Sequence, residues 1–115
     1  MLPRRLPKKL NRTDRWKSQA HCSWLRGFAC AACDSDVCIE VSHIRIGTDG
    51  AMGRKPSDFY ALPLCKACHQ TLHQKGERSF YAANNIDGLA LADEFARASP
   101  KSREIAMVKR ERGNE

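Results

Sequence analysis

Two Cys-x-x-Cys pairs constrain the fold of this chain more than any other sequence feature. Cys30 and Cys33 form the first pair, Cys65 and Cys68 form the second, and residues 34–64 separate them. Each short turn lets two thiolates converge, and Zn²⁺ takes four sulfur ligands in a tetrahedron. The spacing therefore predicts a closed, structural zinc site. The alternative, two redox-active dithiols, requires a thioredoxin-like parallel sheet, and the sequence contains no pattern for one.

The length and composition of the chain also favour a metal-stabilised domain. The chain has 115 residues, of which only 7% are aromatic, so its hydrophobic core is small. Domains of this size often need a metal ion or disulfides to be stable. We expect a monomer with a basic flexible arm at residues 1–12, one folded domain at 13–99 and a charged C-terminal tail at 100–115 that forms a frayed helix or is disordered.

The charge of the chain predicts a polyanionic partner. Lys and Arg total 20 against 13 Asp and Glu, which gives a formal net charge of +7. Basic proteins gain affinity for DNA by releasing condensed counterions. A membrane is not expected, because no apolar run approaches the ~18 residues of a spanning helix. The first twelve residues lack the apolar stretch of a signal peptide, so we expect a cytoplasmic protein with reduced thiols.

The first half of the chain predicts one helix and one strand. Thr13 is a plausible N-cap, and Trp16, Ala20 and Trp24 recur every four residues before Gly27, which predicts a helix of about three turns with both tryptophans in the core.

After the first cysteine pair, apolar residues alternate with polar ones. This alternation predicts a strand whose buried face carries Val37, Ile39 and Val41, and His43 has the same parity. An inward histidine beside aliphatic side chains is usually a satisfied core residue, although the histidines further along the chain raise the functional alternative.

The second half predicts a strand at residues 59–64 and a helix that begins at the second cysteine pair and ends at Gly76. His69 and His73 lie four residues apart on this helix and therefore share a face. A glycine-rich loop at 45–58 joins the two strands, and further helices at residues 80–99 supply core residues.

Taken together, these segments resemble a known protein family. The segments Cys30-x-x-Cys33, Val41-Ser42-His43-Ile44 and Leu64-Cys65-x-x-Cys68-His69-x-x-x-His73 resemble the HNH endonucleases. The resemblance is greatest to phage and prophage members, including the RecA-dependent recombination-enhancement nucleases. It implies an α+β fold with a small zinc-stapled ββα-metal core and flanking helices, and a cytoplasmic phage or prophage protein acting on DNA in recombination.

The resemblance also implies roles for individual residues. His43 matches the general base, His69 and His73 match positions that hold one catalytic Mg²⁺ or Mn²⁺, and Arg45 is the expected phosphate clamp. Position 42, where the family often has an acidic or histidine metal ligand, is Ser42, and Asp58 is the nearest candidate to fix the loop or orient His43. The remaining expected DNA contacts are Arg54, Lys55, Arg4, Arg5, Lys8 and Lys9.

The sequence therefore predicts a metal-dependent DNA endonuclease that leaves 5′-phosphate and 3′-hydroxyl ends. The alternative is a non-catalytic, zinc-stabilised DNA-binding module of phage recombination, which Ser42 favours. An adaptor that docks on a recombinase filament is a third hypothesis, and such a filament is a further candidate partner.

Overall fold

A computed structural model describes residues 1–5, 15–50 and 55–113. These residues form a two-stranded sheet and five helices, which is the mixed α/β class expected from the sequence. The elements in chain order are α1 (Gln19–Leu25), β1 (Ile39–His43), β2 (Ala61–Cys65), α2 (Lys66–Lys75), α3 (Glu77–Ala83), α4 (Gly88–Ala98) and α5 (Ser102–Glu111).

The two strands pair antiparallel, in a register that runs from Ile39 opposite Cys65 to His43 opposite Ala61. The strand β1 begins later than predicted, because Cys38 has a left-handed φ of 53° and Val37 is 63% exposed. The loop at 45–58 was expected, and its described residues contain no helix or strand.

The predicted buried face of β1 was wrong. Ser42 is fully buried and Ile44 is 2% exposed, whereas Val41 and His43 are only half-buried. Ile44 packs with Leu62 and Ala92 in one core cluster, so helices from the second half of the chain cover the face that Ser42 shares. The alternation of β1 was real, but the packing of later helices decides which face is buried.

The helix α2 agrees closely with its prediction. Its N-cap is Cys65, whose sulfur accepts a hydrogen bond from the backbone N–H of Cys68. It ends at Gly76, where a φ of 87° is accessible to glycine at little cost. Leu72 points from α2 into a core cluster that also contains Leu64 and Phe80.

The helix α1 is shorter than predicted. Its N-cap is Ser18, whose Oγ accepts from the N–H of His21, and the predicted cap Thr13 lies outside the described residues. Trp16 precedes the helix because its backbone N–H donates to Ser57 Oγ at 2.8 Å. Trp16 packs in the core as expected and contacts Phe59, whereas Trp24 is only half-buried and its ring contacts Phe28 and Phe95.

The C-terminal tail is more ordered than expected, because the sequence predicted a frayed helix or disorder there. Residues 102–111 form α5, and Ile105 is 2% exposed in a cluster with Trp16, Phe59 and Ala96. Lys109 also lies over the ring of Phe59, 5.2 Å from its centroid. Because this segment is highly charged, its sequence was not interpreted as the amphipathic helix that packs against Trp16 and Phe59.

Membrane-spanning helices are absent from the described part of the chain, where every helix is too short or too polar to cross a bilayer.

His21 is fully buried, and its Nδ1 lies 2.7 Å from Ser99 Oγ. Burial lowers the pKa of this imidazole, so the folded state resists its protonation more than the unfolded state does. Stability from this group is therefore present above the unfolded pKa of about 6.5 and is lost as the pH falls below it.

We predict that urea unfolding at pH 7.5 and pH 5.5 shows a larger loss of unfolding free energy for wild type than for His21→Phe. Equal losses in the two proteins would contradict a neutral buried His21.

Candidate metal centre and active site

The four cysteines of the two pairs converge in space. The sulfur atoms of Cys30, Cys33, Cys65 and Cys68 all lie within 4.8 Å of one another. Cys33 and Cys65 have a sulfur separation of 3.6 Å, close to the ~3.8 Å between ligands of a tetrahedral zinc ion with Zn–S bonds of about 2.3 Å. Among the residues that the structure describes, this is the one group of three or more potential ligands. It could hold a structural metal such as zinc.

Local hydrogen bonds shape both cysteine turns. The N–H of Cys30 donates to Ser35 O at 2.8 Å, and Asp34, with a left-handed φ of 64°, closes the turn by donating to Cys30 O. The N–H of Ala31 donates to Pro63 O at 2.9 Å, which ties the first turn to β2. The second turn is the N-terminus of α2. The cluster therefore joins the first turn, the hairpin and the helix.

The ionisation of Cys30 is also favourable for a metal. Burial opposes the thiolate, but backbone hydrogen bonds from Cys65, Cys33 and Ala32 outweigh it and lower the pKa of Cys30 to about 7. A thiol that ionises near neutrality can bind a metal without a large cost of deprotonation.

His43 and Asp58 form a second polar cluster at the end of β1. His43 Nε2 lies 2.9 Å from Asp58 Oδ1, and its side chain is 20% exposed. Since an ionised carboxylate only accepts, Nε2 carries the proton and Nδ1 keeps the lone pair. Two roles were expected for Asp58, fixing the loop or orienting His43. Asp58 contacts His43 directly and could therefore orient it.

Asp58 holds several parts of the chain together. Arg15 Nη2 donates to Asp58 Oδ1 at 2.6 Å, and the N–H of Ser18 donates to Oδ2 at 2.8 Å. Burial would raise the pKa of Asp58, but the hydrogen bonds from His43 and Ser18 and the charge of Arg15 lower it to about 2. Sequence reasoning missed Arg15 and Ser18, because no local pattern links them to a residue about forty positions away.

The helix histidines form a third cluster, apart from His43. His69 Nδ1 lies 2.8 Å from Glu40 Oε1, and the rings of His69 and His73 are 4.7 Å apart. Glu40 and His43 differ by three positions in β1, so their side chains leave opposite faces of the strand. The resemblance implies that His43 and the two helix histidines serve one catalytic site, but the structure places them on opposite faces of β1. Sequence reasoning missed Glu40.

Two contacts fix the direction of α2 relative to β1. His69, near the start of α2, contacts Glu40, and Glu77, just after its end, accepts from the N–H of Arg45 at 2.9 Å. The helix therefore runs alongside β1 in the same direction. Between the two contacts lies Ser42, whose Oγ is buried and has no hydrogen-bond partner in the part of the chain that the structure describes.

The other predicted DNA contacts are only partly described. Arg45 and Lys55 are exposed in the loop that follows β1, and Arg4 and Arg5 are exposed in the arm. Lys8, Lys9 and Arg54 lie outside the described residues. Arg112, which caps the C-terminus of α5, donates to Asp49 Oδ2 at 2.6 Å, and Asp49 accepts from the N–H of Ser57, so these contacts tie the loop at Asp49 and Ser57 to the end of α5.

We predict that the purified chain carries one zinc ion, measured by elemental analysis, and that Cys65→Ser loses the zinc and lowers the melting temperature. Cys38→Ser is the matched control, because Cys38 is exposed and lies outside the cluster. Stoichiometric zinc in Cys65→Ser would contradict this account of the metal centre.

We also predict that Asp58→Asn lowers the unfolding free energy by about 2 kcal/mol at pH 7, because the folded state holds the pKa of Asp58 near 2, below its ordinary 3.8. The stability that ionised Asp58 contributes is complete above its unfolded pKa. The difference in unfolding free energy between Asp58→Asn and wild type therefore persists at pH 5 and shrinks as the pH falls from about 4 towards 2. Denaturant unfolding at each pH measures it, with the exposed Asp36→Asn as the control. Unchanged stability in Asp58→Asn would show that these contacts contribute nothing.

Comparison with known proteins places most of this architecture within a family. The family model described as "Protein of unknown function (DUF968)" matches residues 5–86. This range contains both cysteine pairs, the hairpin, α2 and α3, and excludes α4 and α5. No solved structure matches the chain significantly.

A curated relative is similar over a shorter range. The "Uncharacterized protein YdfU" of Escherichia coli (strain K12) is 35% identical over 66 residues, which cover 56% of this chain and 18% of that protein. The chain thus spans less than a fifth of the relative's length. Because the family match covers well over half of its residues, the chain belongs to the DUF968 family of proteins of unknown function.

Proposed function

We propose that the chain is a metal-dependent DNA endonuclease that hydrolyses phosphodiester bonds with His43 as its general base. The observation that carries this proposal is the hydrogen bond between His43 and Asp58. The carboxylate fixes the imidazole and its tautomer, which leaves Nδ1 to accept a proton from an attacking water. The partial exposure of His43 at the end of a strand is compatible with access for a large substrate.

Residues around His43 fit the handling of a phosphate. Arg45 is exposed two positions after His43, and its guanidinium would bind a phosphate oxygen as the clamp. His69 and His73 would hold one divalent ion, Mg²⁺ or Mn²⁺, on the opposite face of β1 from His43. The resemblance implies that such an ion would neutralise charge at the scissile phosphate and at the leaving 3′ oxygen. The separation of the two faces counts against a shared site and favours the binding module considered below.

The four-cysteine cluster has a structural role in this proposal. We assign it zinc, which would close the end of the hairpin and fix the start of α2, giving a ββα-metal core. Zinc sites with four protein ligands leave no open coordination position. Catalysis would therefore depend on the other end of the strand, where His43 and Arg45 lie.

DNA would be bound mainly through its backbone. The formal charge of +7 and the exposed Arg45, Lys55, Arg4 and Arg5 supply cations, and Arg54, Lys8 and Lys9 would add to them. Such contacts position a duplex without reading its sequence. A reducing cytoplasm, with phage or prophage recombination as the setting, fits the free cysteines and this substrate.

A non-catalytic, zinc-stabilised DNA-binding module is the second candidate. It is favoured by the contacts of Asp58, which accepts from Arg15 and Ser18 as well as from His43 and so also has a structural role. It is favoured too because, among the described residues, only the four cysteines converge as a group of three or more ligands.

We predict that the zinc-loaded chain nicks supercoiled plasmid with Mn²⁺ or Mg²⁺ and that His43→Ala slows nicking by at least ~100-fold, the lower range of general-base contributions. Zinc content stays unchanged, because His43 lies at the opposite end of the hairpin from the cysteines. Gln74→Ala, on the exposed surface of α2, is the control and keeps full activity.

Two results would count against this function. Nicking that persists in His43→Ala would remove His43 as the base. Salt-sensitive DNA binding by wild type, without cleavage in any divalent ion, would establish the binding module instead.

A further inference from the structure

We propose that Glu40 fixes the ring of His69 so that His69 and His73 bind a first-row transition-metal ion in preference to Mg²⁺. The proposal rests on the proposed function and identifies the ion and the residue that prepares its site. Glu40 acts through His69 and is a positioning residue.

The contact between Glu40 and His69 determines which nitrogen is available. The Glu40 carboxylate accepts from Nδ1–H of His69 at 2.8 Å, so Nε2 keeps its lone pair. Glu40 is 44% exposed and His69 is 20% exposed, so the pair adds little stability. Carboxylates that accept from the second nitrogen of a histidine recur in metal sites, where they hold the ring and raise its basicity.

His73 supplies the second imidazole. It lies four residues after His69 on α2, and side chains at that spacing share a helix face. The two rings are 4.7 Å apart and inclined by 35°, so both nitrogens could approach one ion after a small rotation of the exposed His73. Water and phosphate would complete the coordination.

Ser42 provides an independent observation on the same face of β1. It lies two residues after Glu40, a rise of about 6.6 Å along the strand, and His73 lies four residues after His69, a rise of about 6 Å along the helix. Because α2 and β1 run in the same direction, Ser42 is level with His73 as Glu40 is with His69. The Ser42 Oγ is fully buried and has no hydrogen-bond partner among the described residues, so it adds a polar atom to the face of β1 that α2 covers.

The donor set decides which ion is preferred. Imidazole nitrogens suit Ni²⁺ and Zn²⁺, and the affinity of a nitrogen site rises from Mn²⁺ through Co²⁺ to Ni²⁺, whereas Mg²⁺ demands oxygen ligands in octahedral geometry. Glu40 is bonded to His69 and therefore supplies no oxygen to the ion. Of the two ions considered for catalysis, the site favours Mn²⁺ over Mg²⁺.

The test is calorimetric titration of the full chain, with zinc already bound at the cysteines, using Ni²⁺, Mn²⁺ and Mg²⁺ separately. We expect one Ni²⁺ per chain, bound at least ~10-fold more tightly than Mg²⁺. Glu40→Ala should weaken Ni²⁺ binding by about 10- to 100-fold, the usual effect of losing an outer-shell partner. Glu40→Gln should lose less, because its amide oxygen still accepts from Nδ1. His69→Ala and His73→Ala should abolish the extra site.

Glu94→Gln on α4 is the control for the loss of an exposed acidic charge and should bind Ni²⁺ like wild type. Unchanged Ni²⁺ affinity in Glu40→Ala, with a normal circular dichroism spectrum, would overturn the role of Glu40. Mg²⁺ affinity equal to that of Ni²⁺ would overturn the selectivity. Binding is measured without DNA, so failure of plasmid nicking leaves this result standing, and a failed titration leaves the role of His43 standing.

Discussion

The convergence of four cysteine sulfurs at one end of the hairpin is the constraint on which the rest of the structure depends. The domain has a small core and a sheet of only two strands, and a two-stranded hairpin is marginally stable alone. The cysteine cluster joins the first turn, β2 and α2, so a metal there would fix the register of the strands and the start of the helix. Both histidine clusters depend on that register.

The two histidine clusters follow one chemical pattern on opposite faces of β1. In each cluster a carboxylate accepts a hydrogen bond from one imidazole nitrogen and leaves the other with a lone pair: Asp58 does so for His43, and Glu40 for His69. The two histidines use different nitrogens, because His43 donates through Nε2 and His69 donates through Nδ1. In the proposed function, the free nitrogen of His43 would accept a proton and that of His69 would bind a cation. Because the two clusters lie on opposite faces of β1, their placement weighs against both acting on one phosphate.

Local signals predicted the local parts of this structure. The convergence of the two cysteine pairs, the start of α2 at the second pair and its end at Gly76 depend on local sequence patterns, and these predictions were confirmed. The buried face of β1 was predicted wrongly, because helices more than twenty residues away determine it. Glu40 and Arg15 were missed for the same reason, since each meets its partner only after folding. The charged segment that forms α5 was interpreted as a tail, because the core that buries Ile105 is formed by residues distant in sequence.

The chemistry of the cut ends tests the central claim, phosphodiester hydrolysis, most directly. Supercoiled plasmid would be incubated with the zinc-loaded chain and Mn²⁺, and the nicked product would then be treated with DNA ligase alone. The account predicts nicks that ligase reseals, because hydrolysis with a leaving 3′ oxygen gives 5′-phosphate and 3′-hydroxyl ends. Intact plasmid, or nicks that ligase cannot reseal, would contradict it.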